Sequence, residues 1–285
     1  MAYLVTGGTG KTGMRLARLL KDASLPVLLA SRRGAAGALD GFEAVRFDWT
    51  DKSTFENPFT HTFPNGEQIK GVYLVPPEMP EPAPAMNEFI DYAMSRGVRR
   101  FALLAGTSAT KGGPFVGKVW EKLADSGVEC GILSPTWFME NFTEWLHPQT
   151  IKNENKFYTA CGDGKTAFIS ANDVALCEFH ALTDEKPVND NILVTGSECL
   201  SMDDVAAIVG KVAGRKIEHV RISPEETTKR HLESGMPEYL AQYIGFLESN
   251  TSRGSEAWER SDVEKLTRKP PQRFTEWAEE HKNEF

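Results

Sequence analysis

The chain has 285 residues, enough for one large domain or for a large domain with a smaller lobe. Its hydrophobic fraction of 40% and charged fraction of 25% are ordinary for a soluble globular protein, and no apolar run is long enough to cross a bilayer. The net charge of −8 argues against a nucleic-acid or anionic-membrane partner. Because no leader segment precedes the first predicted strand, we expect a cytoplasmic protein.

The cysteines and histidines give no sign of a crosslink or a metal. The four cysteines form no Cys-x-x-Cys pair, and the six histidines lack the spacing of a metal-ligand set. We therefore expect reduced thiols that pack as small hydrophobic side chains, and no metal site.

A glycine-rich turn follows the first apolar run and opens a segment with helical apolar spacing. Strand, glycine turn and helix in this order are typical of a dinucleotide-binding βαβ unit. Gly7 permits the tight turn, Gly10 lets a pyrophosphate approach the backbone, and Gly13 lets the helix pack close to the strand. The N–H groups and the positive dipole end of the helix would face the phosphates. The predicted phosphate-binding residues are Gly7, Thr9, Gly10, Lys11 and Thr12.

The spacing of these glycines leaves two alternatives to consider. It is Gly-x-x-Gly-x-x-Gly, not Gly-x-Gly-x-x-Gly, and Gly8 stands where neither pattern requires glycine. Gly10-Lys11-Thr12 resembles the end of a P-loop, but a P-loop needs glycine where this chain has Val5, so a nucleotide triphosphatase is excluded. A glycine-rich turn without a ligand is the other alternative.

The second predicted strand, residues 26–30, ends in Ser31-Arg32-Arg33. An NAD-dependent enzyme places a carboxylate here for the ribose hydroxyls, whereas this chain offers a hydroxyl and guanidinium groups. A guanidinium can hold a 2′-phosphate through two hydrogen bonds, each worth about 1.5–3 kcal/mol. Ser31 and Arg32 therefore predict NADP(H) as the cofactor, with a solvated basic turn as the alternative.

Four further predicted strands complete a doubly wound parallel α/β sheet, in which ligands bind at the carboxyl ends of the strands. These strands are residues 44–47, 71–75, 101–104 and 129–133, with a proline-rich loop through Pro84 and helices at about 87–96 and 118–124 between them. The predicted cofactor contacts after the strands are Asp48, Trp49, Val75, Pro76, Pro77, Ala105, Gly106, Pro135, Thr136, Trp137 and Phe138. Asp48 and Trp49 suit the edge and face of the adenine.

The alternation of strands and helices loosens from about residue 151. We predict an NADP(H)-binding Rossmann domain at 1–150 and a smaller α+β substrate lobe at 151–285, interleaved with the first domain and closing over the cofactor edge. Ser201 is the expected N-cap of one helix in this part, and Asn172 or Asp173 that of another. The predicted substrate-binding residues are Trp137, Met139, Phe142, Tyr158, Phe168, Tyr243 and Phe246, and core packing is the alternative for each.

The chain lacks the tyrosine acid of a carbonyl-reducing short-chain dehydrogenase. None of its six tyrosines has lysine four residues later, and no Gly-x-Ser-x-Gly elbow of a serine hydrolase occurs. Reduction of a ketone requires a proton donor, whereas reduction of an iminium does not, because its nitrogen loses a positive charge. The absence favours a C=N⁺ substrate or no chemistry. The best-placed assisting groups are Lys118, Thr107, Ser108 and Glu121, and each could instead be structural or a cofactor contact.

Several stretches together resemble the NmrA-like atypical short-chain dehydrogenases, and within them the fungal ergot-alkaloid branch of agroclavine dehydrogenases and festuclavine synthases. These stretches are residues 5–13, Ser31-Arg32, Phe47-Asp48-Trp49, residues 111–114 and residues 134–142. The resemblance implies an NADPH-binding Rossmann domain, a small substrate lobe and reduction of an iminium in an indole-alkaloid pathway. Ser134 departs from it, since relatives often carry arginine there.

Three functions are compatible with this resemblance. The first is an NADPH-dependent reductase that acts on an iminium or related electrophile of a fungal indole alkaloid. The second is a ring-forming cyclase that uses a cofactor-lined pocket. The third is an NADP(H) sensor without turnover, which would report the oxidation state of the dinucleotide to a protein partner. The sequence leaves the oligomeric state open.

Overall fold

A parallel sheet organises the first part of the chain, and the computed structural model describes residues 1–38 and 40–285. The strands in chain order are β1 (Ala2–Thr6), β2 (Val27–Ser31), β3 (Glu43–Arg46), β4 (Ile69–Leu74), β5 (Arg100–Leu104), β6 (Glu129–Pro135), β7 (Lys156–Thr159), β8 (Lys165–Thr166), β9 (Asp190–Val194), β10 (Leu200–Ser201) and β11 (Glu218–Arg221). Seven of these form one sheet in the order β3-β2-β1-β4-β5-β6-β9.

The helices separate the strands as a doubly wound fold requires. They are α1 (Lys11–Asp22), α2 (Asn57–Thr60), α3 (Ala83–Ser95), α4 (Gly117–Asp125), α5 (Pro148–Glu154), α6 (Ala171–Thr183), α7 (Met202–Ala213), α8 (Pro224–Glu233), α9 (Glu238–Thr251), α10 (Val263–Thr267) and α11 (Phe274–Glu280). Among the described residues, no helix is both long and apolar enough to cross a bilayer.

The order of the strands indicates where in the sheet a ligand is expected to bind. Strands β1 to β6 pair in parallel, with Tyr3 beside Val27 and Val5 beside Tyr73, for example. The order reverses between β1 and β4, and ligands of such sheets bind outside the carboxyl ends of the strands at that point. The predicted Rossmann-like α/β fold is confirmed.

Burial explains why these segments form strands. Every residue of β1 is buried, which is possible because helices cover both faces of a parallel sheet. Helix α1 packs through a stripe of buried residues at helical spacing, which includes Met14, Ala17 and Leu20. The apolar run and the amphipathic segment at the start of the sequence therefore have their expected structures.

The chain divides into two compact units. The first contains residues 1–135 and 174–193, and the second contains residues 136–173 and 194–285. The division into domains at residue 150 stays a prediction, while the chain passes between the compact units after Pro135, Asp173 and Leu193.

The second unit has an aromatic core and two small sheets. Strands β7 and β11 pair in parallel, and β8 and β10 pair antiparallel. Phe142 lies edge-on to Phe157, Phe168 and Phe274, with ring centroids 5.3, 5.7 and 5.6 Å away. Most aromatic side chains here thus stabilise the core of the unit.

Candidate functional site

The glycine turn after β1 is packed too tightly for side chains. Gly7 has φ +61°, and a Cβ atom on Gly13 would lie 2.6 Å from the carbonyl oxygen of Gly7. Gly8 is not required by either sequence pattern, but it has a packing role. A Cβ atom added at Gly8 would lie 2.9 Å from Cβ of Leu29 in β2. Gly13 therefore approaches the turn itself, whereas its place in the glycine pattern predicted an approach to the strand.

The N-terminus of α1 is suited to an anion. Gly10 is its N-cap, the described chain places no side-chain cap there, and the first turn contains no acidic residue. The first N–H groups of a helix lack partners within the helix, and its dipole is positive at this end. A pyrophosphate would accept hydrogen bonds from these N–H groups, and the positive end of the dipole would attract its charge. The residues present therefore fit a dinucleotide at this turn.

Strand β4 supports the turn from the adjacent position in the sheet. Thr6 Oγ1 donates to the carbonyl of Tyr73 (2.9 Å) and accepts from the N–H of Val75 (2.8 Å). A Cβ on Gly7 would lie 3.0 Å from Cβ of Val75. Val75, a predicted cofactor contact, thus adjoins the glycine turn at the point where the strand order reverses, and Pro76 and Pro77 follow it.

A buried polar chain lies behind the start of α1, and the sequence analysis missed it. Thr12 Oγ1 is hydrogen bonded to the hydroxyl of Tyr73 (2.8 Å), and that hydroxyl donates to Oε1 of Glu178 in α6. Burial raises the pKa of Glu178 and the pKa of Tyr73 well above their ordinary values. Both shifts favour the uncharged form of these groups, which lie behind the anion site. The only signal in the sequence was a glutamate inside the apolar run 174–179.

The carboxyl end of β2 has features that fit a phosphate. The hydroxyl of Ser31 is buried and, within the described chain, has no hydrogen-bond partner, while Arg32 and Arg33 are exposed. Arg46 of β3 is the register partner of Ser31, and it forms an ion pair with Asp51 (3.1 Å). Arg46 is a third guanidinium at this edge that the sequence analysis did not single out. A phosphate would satisfy the unpaired hydroxyl and meet guanidinium charge.

The segment after β3 is held by its own turn. Asp48 Oδ1 accepts from the N–H (2.9 Å) and hydroxyl (2.8 Å) of Thr50. These hydrogen bonds, together with Arg32 and Arg46, hold the pKa of Asp48 below its ordinary value, so the carboxylate is ionised. Trp49 is partly buried and lies edge-on to Phe47, with ring centroids 4.8 Å apart. Contacts of Asp48 and Trp49 with an adenine stay a prediction.

The loops after β5 and β6 meet within the first unit. The N–H of Ala105 donates to Leu133 (2.8 Å), and the N–H of Thr107 donates to the carbonyl of Pro135 (3.2 Å). Gly106 lies between them, and a Cβ there would have ordinary contacts only. Ala105, Gly106, Thr107 and Pro135 therefore lie close together at the carboxyl edge of the sheet.

The stretch after Pro135 is fixed inside the second unit. Thr136 Oγ1 donates to the carbonyl of Ala167 (2.5 Å), and Trp137 Nε1 donates to Oγ1 of Thr251 (3.1 Å). Phe138 forms a parallel bridge to Ile169. Cofactor contacts of Thr136, Trp137 and Phe138 stay predictions.

An internal cavity in the second unit brings together part of the predicted substrate set. Three of its eight lining residues, Trp137, Phe142 and Phe168, were predicted to contact the substrate. The others were not, and they are Asn141, His147, Cys161, Met202 and Glu248. A glutamate within a helical apolar stripe was the signal that could have found Glu248.

The remaining predicted substrate residues lie outside the lining of this cavity. Met139 is buried in the aromatic core. The hydroxyl of Tyr158 donates to Glu154 (2.6 Å), and the guanidinium of Arg230 lies 3.7 Å from its ring centroid. Tyr243 is partly buried, and Phe246 is 57% exposed. Their substrate contacts stay predictions.

The candidate assisting groups occupy two places in the first unit. Lys118 and Glu121 are exposed on α4, and Lys118 lines a surface cleft together with Asn87. Thr107 and Ser108 lie in the loop after β5. The described residues contain no group of three or more histidine, cysteine, aspartate or glutamate side chains placed to hold a metal.

Comparison with known proteins assigns the family. The model of the NmrA-like family matches residues 118–278. The chain is also 38% identical over 286 residues to agroclavine dehydrogenase of Claviceps fusiformis, covering 99% of this chain and 98% of the relative. The chain belongs to the NmrA-like family. This NmrA-like protein is also 38% identical to festuclavine synthase II of Penicillium roqueforti (strain FM164). That alignment covers 99% of this chain and 99% of the relative.

A solved structure shares the fold of this NmrA-like protein. The crystal structure of the NADPH-dependent quinone oxidoreductase QOR2 from Escherichia coli, complexed with NADPH, superposes with a TM-score of 0.80. It is 20% identical and covers 98% of this chain and 99% of that chain. The likeness supports the Rossmann-like fold.

Proposed function

We propose that this NmrA-like protein is an NADPH-dependent reductase of an iminium, or of a related electrophile, in fungal indole-alkaloid metabolism. The carboxyl edge of the sheet carries the proposal. There the uncapped N-terminus of α1 suits a pyrophosphate, and the unpaired hydroxyl of Ser31 with the guanidinium of Arg32 suits a 2′-phosphate.

The relatives support an oxidoreductase role in alkaloid metabolism. Two enzymes of clavine alkaloids, a dehydrogenase and a synthase, match essentially the whole chain at 38% identity. A solved structure with this fold is named an NADPH-dependent quinone oxidoreductase and was crystallised with NADPH. NADP(H) is therefore the cofactor that we propose for the sheet edge.

The proposed chemistry needs little from side chains. Bound NADPH supplies a hydride to the iminium carbon, and the π electron pair of the C=N⁺ bond becomes the lone pair of the neutral amine, so no proton is required. Tyr73, whose hydroxyl is buried between Thr12 and Glu178, is placed as a structural group and not as a proton donor. The protein would act mainly by orienting two bound molecules.

The test is the loss of NADPH absorbance on mixing the purified protein with a cyclic iminium. We expect one NADPH oxidised for each amine formed, and slower reaction with NADH. Absence of turnover with several cyclic iminium compounds would contradict the proposal. A ring-closed product without stoichiometric NADPH loss would support the cyclase alternative, and dinucleotide binding without turnover would support the sensor.

A further inference from the structure

The cavity of the second unit contains a carboxyl group where helix packing calls for an apolar side chain. The buried residues of α9 are Ala241, Ile244, Gly245, Glu248 and Thr251, a stripe at helical spacing with Glu248 inside it. Glu248 is only 1% exposed. Within the described chain, no lysine, arginine or histidine forms an ion pair with it. A buried carboxyl group without a cation lowers stability, so its presence calls for another explanation.

The carboxyl group is held by one of its two oxygens. Oε2 of Glu248 accepts from the N–H of Ala160 (2.7 Å) and from the hydroxyl of Thr227 (2.9 Å). Both hydrogen bonds fall on the same oxygen, which fixes the carboxyl group and leaves Oε1 for a ligand in the cavity.

A second acceptor faces the same cavity. Asn141 is 3% exposed, lines the cavity, and its Oδ1 has no hydrogen-bond partner among the described residues. A buried acceptor without a donor costs about 1–3 kcal/mol unless a ligand or water satisfies it. Asn141 and Glu248 thus present two acceptor oxygens to one enclosed space.

The rest of the lining is uncharged and suits a cation. Trp137, Phe142 and Phe168 contribute aromatic rings, and Met202 contributes a polarisable thioether. Burial lowers the pKa of His147 to about 3, so its imidazole is neutral and does not balance the carboxylate. The thiol of Cys161 is also neutral, because burial raises its pKa.

We propose that Glu248 and Asn141 form a cation-binding subsite that takes a compact, positively charged nitrogen, such as that of an iminium or a protonated amine. The assignment of this nitrogen to the substrate rests on the proposed function. The subsite would neutralise the charge that distinguishes an iminium from an uncharged ketone or imine.

The size of the cavity limits what it encloses. The part of it that a water-sized sphere can enter is about 10 Å³, which is about the volume that one water molecule needs. In this closed form the space admits only a group about as large as one water molecule, so the charged nitrogen of a ring system could enter only after the wall of the cavity moves. Trp137 is the one partly exposed residue of the eight that line it. We therefore expect the ligand to reach Glu248 past Trp137, with movement of that indole.

The experiment measures binding of N-methyl-dihydroisoquinolinium, a permanently charged cyclic iminium, by calorimetry and by tryptophan fluorescence. The reference ligand is the uncharged lactam with the same ring system. The variants are Glu248→Gln and Asn141→Leu, and the matched control is Glu238→Gln, which changes an exposed glutamate of the same helix. NADPH affinity and the thermal midpoint show whether each variant is folded.

We expect the wild-type protein to bind the cation at least tenfold more tightly than the lactam. Glu248→Gln should weaken cation binding about tenfold or more and leave lactam binding within about twofold, because only the cation is attracted by the negative charge of the carboxylate. Asn141→Leu should weaken cation binding severalfold, and Glu238→Gln should leave it unchanged. Cation binding that is equal in the wild type and in folded Glu248→Gln protein would overturn the subsite.

The two proposals fail in distinguishable ways. If the protein reduces the iminium with NADPH but Glu248→Gln has the wild-type KM, the subsite is wrong and the proposed reductase stands. If the cation binds in a Glu248-dependent way but no NADPH is oxidised, the reductase is wrong and the subsite stands.

Discussion

Ser31 has a buried hydroxyl without a partner among the described residues, beside the exposed guanidinium of Arg32. A buried hydroxyl without a partner among the described residues, next to an exposed guanidinium at a strand end, is more consistent with a phosphate ligand than with a solvated turn. The preference for NADPH over NADH can therefore be tested by changing one of these side chains.

The first prediction concerns Arg32→Ala. We expect the Kd for NADPH to rise about ten- to hundredfold, because a hydrogen bond to a charged group contributes roughly 1.5–3 kcal/mol. The Kd for NADH should change less than about twofold. The control is Arg18→Ala, an exposed arginine on α1. Equal losses for both dinucleotides, measured by calorimetry, would mean that Arg32 does not contact the 2′-phosphate.

The second prediction concerns the charge of Glu248. Burial raises the pKa of this carboxyl group from 4.5 to about 7 in the folded state. The folded protein therefore holds a proton that the unfolded chain releases, and stability is lost as the pH rises from about 4.5 through 7. The neighbouring His147 has a pKa of about 3 and the Cys161 thiol has a raised pKa, so neither changes charge in this window.

The Glu248→Gln variant should lack this loss. A shift of this size corresponds to about 3 kcal/mol, as an upper value, so the variant should gain up to that amount relative to wild type between pH 5 and pH 8. Urea unfolding of both proteins at the two pH values measures the difference. A difference that is the same at pH 5 and pH 8 would show that Glu248 is not a buried titrating group.

At the scale of elements, the start of α1 depends on how closely the glycine turn approaches it. A Cβ on Gly13 would lie 2.6 Å from the Gly7 carbonyl oxygen, and that oxygen also accepts from the N–H of Gly10 (2.8 Å). Any shift of this carbonyl would move the N–H groups that are proposed to bind the pyrophosphate.

The third prediction follows for Gly13→Ala. We expect a loss of about 1–3 kcal/mol in the free energy of unfolding, from overpacking, together with weaker NADPH binding. The control is Gly106→Ala, whose Cβ would meet nothing closer than 3.9 Å and whose stability should change by less than about 0.5 kcal/mol. Wild-type stability and NADPH affinity in Gly13→Ala would contradict the tight packing of the turn.

The observed boundaries of the strands and helices show which of them the local sequence was sufficient to predict. The predicted strands lie within about two residues of β2 to β6. The central residues of β2, β4, β5 and β6 are buried, and strands buried on both faces are nearly continuous apolar segments, whereas β3 is exposed at both ends. Ser201 is the N-cap of α7, as its spacing predicted, and it accepts from the N–H of Asp204 (3.1 Å). These features depend on neighbours within a few residues.

The predicted starts of two helices, α3 and α6, were wrong because of residues in or next to the first turn of each helix. Helix α3 begins at Ala83 instead of Asn87, because the first turn of a helix tolerates Pro84. At α6, the N–H of Asp173 donates to the hydroxyl of Ser170 (3.1 Å), so Ser170 acts as the cap instead of Asn172 or Asp173. Both predictions placed the start too late, because the prolines were assigned to a loop before α3 and Asn172 or Asp173 was taken as the cap of α6.

At the scale of the whole molecule, ligand binding should raise stability. A ligand that binds only the folded state contributes about 2.7 kcal/mol at a concentration of one hundred times its Kd. The fourth prediction is that NADPH raises the thermal midpoint in this way and that NADH at the same concentration raises it much less. A midpoint that neither dinucleotide changes, followed by scanning calorimetry, would contradict the proposed cofactor site.

The sequence by itself determined the parts of this protein that depend on near neighbours. These are the alternating strands and helices of a doubly wound parallel sheet, the glycine turn, the Ser31-Arg32 end of β2 and the lack of a tyrosine acid. Each is encoded by residues within about a dozen positions, where apolar periodicity and glycine geometry act directly.

Only the tertiary structure decided which distant polar groups share a buried environment. Tyr73 meets Glu178 across 105 positions, and Ala160 meets Glu248 across 88. No local pattern specifies such pairs, because they form only when packing removes water around both groups. That same loss of water raises the pKa of each carboxyl group. It favours the uncharged form of Glu178 behind the anion site, whereas the proposed subsite uses the ionised form of Glu248, which a bound cation would favour.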